Sequence, residues 1–504
     1  MSSIKKLAGQ TLVYGLGTIA PRLLNYLLLT PFYTEIFEKN QYGVVTELYA
    51  YVAFLMVILT YGMETTYFRF VEKEADKNRV FSTSALALLF SSLFFMMMVL
   101  LFNQSIAGWI KYDSNPEYIS MLGVILAIDA FISIPFARLR HENRPMRFTL
   151  IKMVNVIINI VLNILFFVIM PRMAGAGSSS WMLEFYNPEI GVGYAFIANL
   201  VASGVSVLML LPQILKIRFD FDFKMFRSML AYSWPLLIIG IAGMINEVSD
   251  KFVFKFLAAV PPGVENPDEY IMSMVGVYGA NTKIAVLMTL FTQMFRFAAE
   301  PFFFKEAGKK DSSKTIADVT KFFTIFGLII FLLVMLYLDL FKHFINSRYH
   351  EGLFVVPIIL FGNLFLGIFY NLSVWYKLKD LTHYGAVIAL IGASLTVLIN
   401  VIFVPVYSYG ASAWAHFITY LVMMIICYFW GQKHMPIPYN LKRIGFYFGI
   451  AIGLWLLGTC VPDSMNDIVK YLINTLLFLT FIVIVLMKEN FIADFLRKRK
   501  TIKG

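Results

Sequence analysis

The charged residues that could do chemistry in this chain are few and stand in apolar surroundings. Arg22 is the one charge between Lys6 and Glu35, in the stretch GTIAPRLLNYLLLTPFY, directly after Pro21. Asn25 follows about one turn later on the same helical face. Asp129 sits within GVILAIDAFISIPF, and Glu247, Asp250 and Lys251 cluster in NEVSDKF. Lys152, Lys283 and Arg296 interrupt further apolar runs nearer their ends. A charge at mid-membrane costs at least about 2.5 kcal/mol, so each of these residues calls for a partner or a function. Arg22 is too far from either end of its stretch to snorkel out, and is expected to face the protein interior. Cations placed inside, Arg22 with Asn25, Lys283 and Arg296, suit an anionic passenger. The acids Asp129, Glu247 and Asp250, with Lys251, suit charge balance or a site for a coupling proton or sodium ion. A purely structural ion pair is the competing reading for each.

Enzymatic chemistry finds little to build on. The six histidines, at positions 141, 343, 350, 383, 416 and 434, make no metal-binding spacing, so no metal and no cofactor is expected. Cys427 and Cys460 are too far apart for a CxxC pair. No GxxxxGK[ST] is present, and the GLGTIA at Gly15 lies inside an apolar run with no strand before it, where a dinucleotide fingerprint has no meaning. No connection on the outward side is long enough to hold a glycosyltransferase, polymerase or ligase domain.

The elements that must position these charges are membrane spans. Over 504 residues, 59% are hydrophobic and 14% charged, and mean hydropathy is +0.73. A soluble domain carries roughly 25% charged residues. Apolar stretches long enough for a ~30 Å hydrocarbon core recur throughout, without the ~10-residue alternation of a barrel. The expected fold is therefore all-α and polytopic. It has about fourteen transmembrane helices, near 10–33, 42–68, 80–102, 117–137, 148–170, 190–212, 230–258, 274–302, 318–341, 352–376, 382–404, 409–430, 444–460 and 468–487. Lysines and arginines divide roughly 30 to 5 between alternate connections, which places both termini in the cytoplasm. The same sorting assigns the net charge of +11 to topology and anionic headgroups, with no nucleic acid involved. Trp109, Trp181, Trp234, Trp375, Trp414 and Trp430 fall beside span ends, as interfacial rings do.

The chain also repeats itself. Aligning YGMETTYFRF on MFRFAAEPFFFKE through Glu64 and Glu300 also sets Tyr42-Gly43 on Tyr278-Gly279. NIVLNILFFVIMP and LTVLINVIFVPVY align through Asn163 and Asn400. The offset changes only at loops, so the halves read as two parallel six-helix repeats about a central site. The expected division is 1–220, 221–433, and 434–504 for two extra helices with a basic tail. KIRFDFDFKMFRSML reads as an interfacial elbow between the repeats. Glu64 and Glu300 read as interfacial anchors, and Gly445, Gly449 and Gly453 as a small-residue packing stripe.

These residues resemble a known family. The segments YGLGTIAPRLLNYLL, YTEIFEKNQYGVVTELYAY and LTYGMETTYFRF in the first half, with YSWPLLIIG, NEVSDKFVFKFL and VGVYGANTKIAVLMTLFTQMFRFAAEPFFFKE in the second, are similar to the polysaccharide flippases of the multidrug/oligosaccharidyl-lipid/polysaccharide exporter superfamily. The resemblance implies two lobes forming a V around a cavity. It further implies alternating access that carries an undecaprenyl-diphosphate-linked oligosaccharide across the bacterial cytoplasmic membrane, for O-antigen or capsule synthesis. Membrane lipids, H+ or Na+, and a polysaccharide polymerase are the partners implied. Arg22 matches the cavity arginine that engages diphosphate on the first helix of related lipid II flippases. Asp250 in SDKF and Lys283 in NTKIA match an acid and a lysine common in the polysaccharide branch. A lipid II flippase and a cation-coupled multidrug exporter of the same superfamily are the alternatives.

Overall fold

Helix boundaries follow the polar punctuation of the sequence. The structure, a computed structural model, describes residues 20–175, 184, 186–306, 312–462 and 465–489. The first helix, α1, is described over 20–36, so the bend expected at Pro21 involves residues outside the described ones. Helix α2 (Lys39–Thr60) opens on a Glu38/Gln41 capping box and ends at Tyr61 and Gly62, both at positive φ, which turns the chain into α3 (Met63–Lys73). Asp76 caps α4 (Lys77–Leu101) by accepting from the backbone N–H of Asn78 and Arg79. The short α5 (Asn103–Trp109) leads to α6 (Pro116–His141) and α7 (Pro145–Ile164), each with proline at its start. A π turn at Leu165–Ile169 joins α7 to α8 (Met170–Gly175) just before Pro171, whose missing N–H it accommodates.

Helices α9 (Gly193–Ile214), α10 (Phe223–Leu257), α11 (Pro267–Ile284) and α12 (Val286–Glu306) follow. They lead to α13 (Ser312–Leu336), α14 (Leu338–Phe341), α15 (Val355–Leu372) and α16 (Val374–Leu378). The chain closes with α17 (Thr382–His434), α18 (Leu441–Thr459) and α19 (Asp467–Lys488). Eleven helices among the described residues are long and apolar enough to cross a membrane, and the bent pair α11–α12 makes a twelfth. Helix α17 covers two expected spans and is broken where they were separated, at Ser408 (φ 53°, ψ −147°). The elbow is shorter than expected: it is non-helical only up to Asp222, the N-cap of α10, and Phe223 onward runs directly into that helix.

The described chain divides into two compact units, one running to Gly279 with Asn400–Ser408, the other formed by Ala280–Ile399 and the residues from Tyr409. In the first, α6 packs against α4 and α9, α7 against α9, and α2 against α10. In the second, α13 packs against α12, α15, α18 and α19. Hydroxyls inside the spans bond back to carbonyls a turn earlier, Ser84 to Val80, Thr320 to Ile316 and Thr324 to Thr320, which keeps them satisfied away from water.

Two packing expectations are corrected. A Cβ at Gly445, Gly449 or Gly453 would meet nothing within 4 Å, so the stripe makes no close helix contact; Gly458 does so instead, against Leu336. Trp375 is no interfacial ring either. It is buried, donates its indole N–H to the Cys427 carbonyl at 3.2 Å, and stacks on His434.

Beyond the end of α13, Asp339 receives Lys342 at 2.7 Å and Lys470 of α19 at 2.6 Å, and these bonds hold its carboxyl below the ordinary 3.8. A depressed carboxylate contributes stability that is present above its unfolded pKa and lost as pH falls through the folded one. Thermal unfolding in detergent should therefore weaken as pH falls below 3.8, by no more than about 1 kcal/mol for so exposed a pair. Asp339→Asn should be less stable than the parent at neutral pH and lose this dependence; parallel profiles for the two proteins would contradict the assignment.

Candidate functional site

The interior charges of the first unit form one polar zone. Helix α1 presents Arg22 at an accessible position, with Asn25 a turn later. The Asn25 Oδ1 is buried without a hydrogen-bond partner among the described residues. Helix α7 brings Lys152 and α10 brings Glu247, and the Arg22 charge acts on both. Helix α6 adds Asp129, which accepts from Ser203 Oγ of α9 at 2.9 Å and lies in the field of Lys152. Around them, Asn199 donates to Tyr49 at 3.2 Å and Asn155 to Ser206 at 3.0 Å. Glu247 is accessible at its surface and yet densely surrounded by protein atoms, the combination expected of a residue lining an internal recess.

What these side chains lack matters most. Among the described residues neither Arg22 nor Lys152 has a hydrogen-bond or ion-pair partner; the Lys152 ammonium lies 4.1 Å above the Phe136 ring. Arg22 therefore presents guanidinium donors in a rigid fork, free to grip a carboxylate or phosphate. Asp129 lies in the field of Lys152, and Glu247 in those of Lys251 and Arg22. The electrostatic track continues to one end of the unit, because Lys152 also interacts with Glu64 and Arg140, which form an ion pair there.

The other α10 charges are occupied. Asp250 accepts from Lys251 at 2.9 Å and from the Tyr278 hydroxyl at 2.6 Å. Five residues on, Lys255 meets Glu47 of α2 at 3.3 Å, with side chains 2% and 0% exposed. Tyr112 donates to the same Glu47 oxygen at 2.6 Å, and Lys255 donates to the Ile110 carbonyl at 2.8 Å. Sequence reasoning passed over this cluster. The available signals were an acid inside VVTELYAY and a lysine inside FVFKFL, each near the end of an apolar stretch.

In the second unit, Lys283 is half-buried near the C-terminus of α11. Arg296 lies 4.5 Å above the Tyr370 ring and 3.8 Å from Glu300, and Glu300 accepts from Lys377 at 2.6 Å. Arg296, Glu300, Tyr370 and Lys377 border a small pocket between α12, α13, α15 and α16. Glu64 and Glu300 thus pair with cations on neighbouring helices and are not simple headgroup anchors. The pairs Glu64–Arg140 and Glu300–Lys377 occupy matching places in the two sequence repeats, each unit carrying its own copy. No group of three metal-ligating side chains occurs among the described residues.

Comparison with known proteins agrees with this architecture. Residues 35–257 match a family model described as "Polysaccharide biosynthesis protein". No curated protein matches the chain significantly. Among solved structures, the chain is similar to a lipid II flippase, MurJ, in an inward closed conformation, with a TM-score of 0.72 and 14% identity over 95% of this chain and 99% of that one. It is also similar to a multidrug resistance MATE family transporter in an inward-facing conformation, with a TM-score of 0.63 and 15% identity over 83% and 94% of the two chains. The MATE multidrug transporter DinF-BH gives 0.61 and 17% over 86% and 96%. At these identities the likenesses establish the shared fold.

Proposed function

We propose that the chain is a polysaccharide-flippase-type member of the multidrug/oligosaccharidyl-lipid/polysaccharide exporter superfamily and moves an anionic lipid-linked oligosaccharide across a membrane, a reading supported by the family match over residues 35–257 and by the shared fold. The observation that carries the reading is the pair of cations, Arg22 and Lys152, without a hydrogen-bond or ion-pair partner among the described residues of an apolar helical unit. An accessible guanidinium with free donors suits a diphosphate, which accepts in bidentate fashion. A cationic drug would meet the opposite of what it needs at those two residues, although Asp129 and Glu247 lie beside them.

In this reading the cargo is an undecaprenyl-diphosphate-linked repeat unit of a surface polysaccharide, and the membrane is the bacterial cytoplasmic membrane with both chain termini inside. The work divides over 1–220, 221–433 and 434–504, and alternating access exposes the zone to each side in turn. Arg22 and Asn25 engage the diphosphate; Lys283 and Arg296 add positive field from the second repeat. Asp129 and Glu247 balance the cations and are the accessible acids for a coupling H+ or Na+, while Asp250 and Lys251 hold α10 to Tyr278. A polysaccharide polymerase would receive the delivered unit.

The test is reconstitution of the purified protein in vesicles holding either a fluorescent polyprenyl-diphosphate oligosaccharide or a cationic dye. Protein-dependent appearance of the oligosaccharide in the opposite leaflet is expected. Dye transport without oligosaccharide movement would replace this reading with drug export. A preference for a peptide-bearing lipid-linked sugar would favour lipid II as cargo.

A further inference from the structure

The cluster around Glu47 lies away from the polar zone just described, and none of the roles above uses it. It sits at the end of the first unit that carries Lys39 and Lys111, the side poor in basic residues. There α2 and the turn after α5, both of the first sequence repeat, meet α10 and α11, which begin the second. The contacts form a stack. Outermost, Lys111 pairs with Asp268 at 3.3 Å and Asn40 donates to Glu269 at 3.2 Å. Next, α2 crosses α11 at Gly43 and Gly276, where a Cβ on either would come closer than 3.0 Å to backbone of the other helix. Deepest is Glu47, held by Lys255 and Tyr112.

Lys255 occupies a ready-made cation cage: Glu47 Oε2 at 3.3 Å, the carbonyls of Ile110 and Lys111 at 2.8 and 3.4 Å, and the Tyr112 ring at 3.8 Å. A metal cation would have to displace that ammonium. The group left to bind something is the other carboxylate oxygen, Glu47 Oε1, which is buried and has no hydrogen-bond partner among the described residues.

We infer that Glu47 is a proton-binding site reached from the outer side, and that the proton it takes up opens the α2–α10–α11 closure. A proton on Oε1 turns the carboxylate into a neutral acid and cancels its attraction for Lys255. The Ile110 and Lys111 carbonyls still face the Lys255 nitrogen. The groups facing Glu47 are Lys255 from α10, Tyr112 and Lys111 from the turn after α5, and Tyr51 on α2 itself. Asp268 of α11 acts on Lys255, and Tyr118 of α6 stands behind Tyr112. Two of these are cations, whose attraction for the carboxylate a proton on Oε1 would cancel. The site assigns H+ as the coupling ion of the transport reading, on which its purpose rests, but its test involves no cargo.

Spin labels at Ser114→Cys and Glu265→Cys, both exposed, report the separation across the closure once exposed Cys460 is changed to serine. In vesicles or nanodiscs the parent should give one short distance near about pH 7.5, and a growing longer population as the pH is lowered toward about 4, near which glutamates in folded proteins commonly titrate. Glu47→Gln, which keeps the shape and removes the charge, should show the longer population several-fold enriched at neutral pH and insensitive to acid. The double exchange Glu47→Lys with Lys255→Glu should return the short distance. A parent distribution that ignores pH, or a Glu47→Gln protein that behaves as the parent, would overturn the inference. So would a shift driven by sodium at constant pH. Failure of oligosaccharide transport, with the distances behaving as stated, would count against the proposed cargo and leave the proton site standing.

Discussion

Arg22→Ala should leave the protein folded and membrane-inserted while lowering flux of a lipid-linked oligosaccharide by about two to four orders of magnitude. Hydrogen bonds to a charged partner contribute about 1.5–3 kcal/mol each, and a guanidinium can make two to a diphosphate. Two such bonds lost account for a factor of that size, at about 1.4 kcal/mol per tenfold. Because Arg22 has no ion-pair partner among the described residues, its removal strands no buried carboxylate, so the melting temperature should barely move. Arg22→Lys keeps the charge and loses the fork, and should fall between the parent and Arg22→Ala. The measurement is vesicle flux alongside thermal unfolding of the same preparations. In cells, lipid-linked intermediates should accumulate on the inner leaflet. Normal flux in Arg22→Ala would remove the residue from the site; lost flux with a collapsed melting temperature would make it structural.

How far the sequence could be read depended on whether a signal was local. The spans follow from local apolar length, and even the break inside Thr382–His434 falls where the two spans were parted, at Ser408. The first span could be compared only from residue 20 onward. Arg22 was legible because it stands alone in the middle of a span. Lys152 was seen but placed with the span-end charges, and its role became visible only with Asp129, Arg22 and Phe136 around it. Glu47 and Lys255 were not legible at all. Each lies a few residues inside a stretch whose end could be drawn on either side of it, and the pair is made across 208 positions of chain. Small-residue spacing misled at Gly445, Gly449 and Gly453, since periodicity marks a face without saying what covers it. The same lack of depth information put buried Trp375 among the interfacial rings. The repeat fared differently: residue pairs aligned by sequence turned out to carry equivalent ion pairs, Glu64–Arg140 and Glu300–Lys377.

The second large effect concerns the α2–α11 crossing and separates close packing from mere helix propensity. At Gly43 the atoms in the way of a Cβ are the Met272 carbonyl, and at Gly276 they are the Lys39 carbonyl; neither is the movable end of a side chain. Gly43→Ala or Gly276→Ala must therefore push the helices apart, and overpacking of this kind costs about 1–3 kcal/mol. The shift also pulls Glu47 away from Lys255, and breaking a buried pair costs about 3–5 kcal/mol when one charge is left without its partner. At Gly279 the nearest atoms to an added Cβ belong to the Thr46 side chain, which can yield more easily than backbone, so Gly279→Ala should lose less. Gly204→Ala and Gly445→Ala meet nothing within 4 Å and should gain up to about 1 kcal/mol from helix propensity. Melting temperatures should then fall in the order Gly445 and Gly204 variants, parent, Gly279 variant, and last the Gly43 and Gly276 variants. Coupling supplies the sharper criterion. If the crossing holds the ion pair in register, Gly276→Ala should cost less in a Lys255→Met, Glu47→Leu background, where no pair remains to break. Equal losses in both backgrounds would mean that the glycines and the ion pair stabilise this end of the bundle independently.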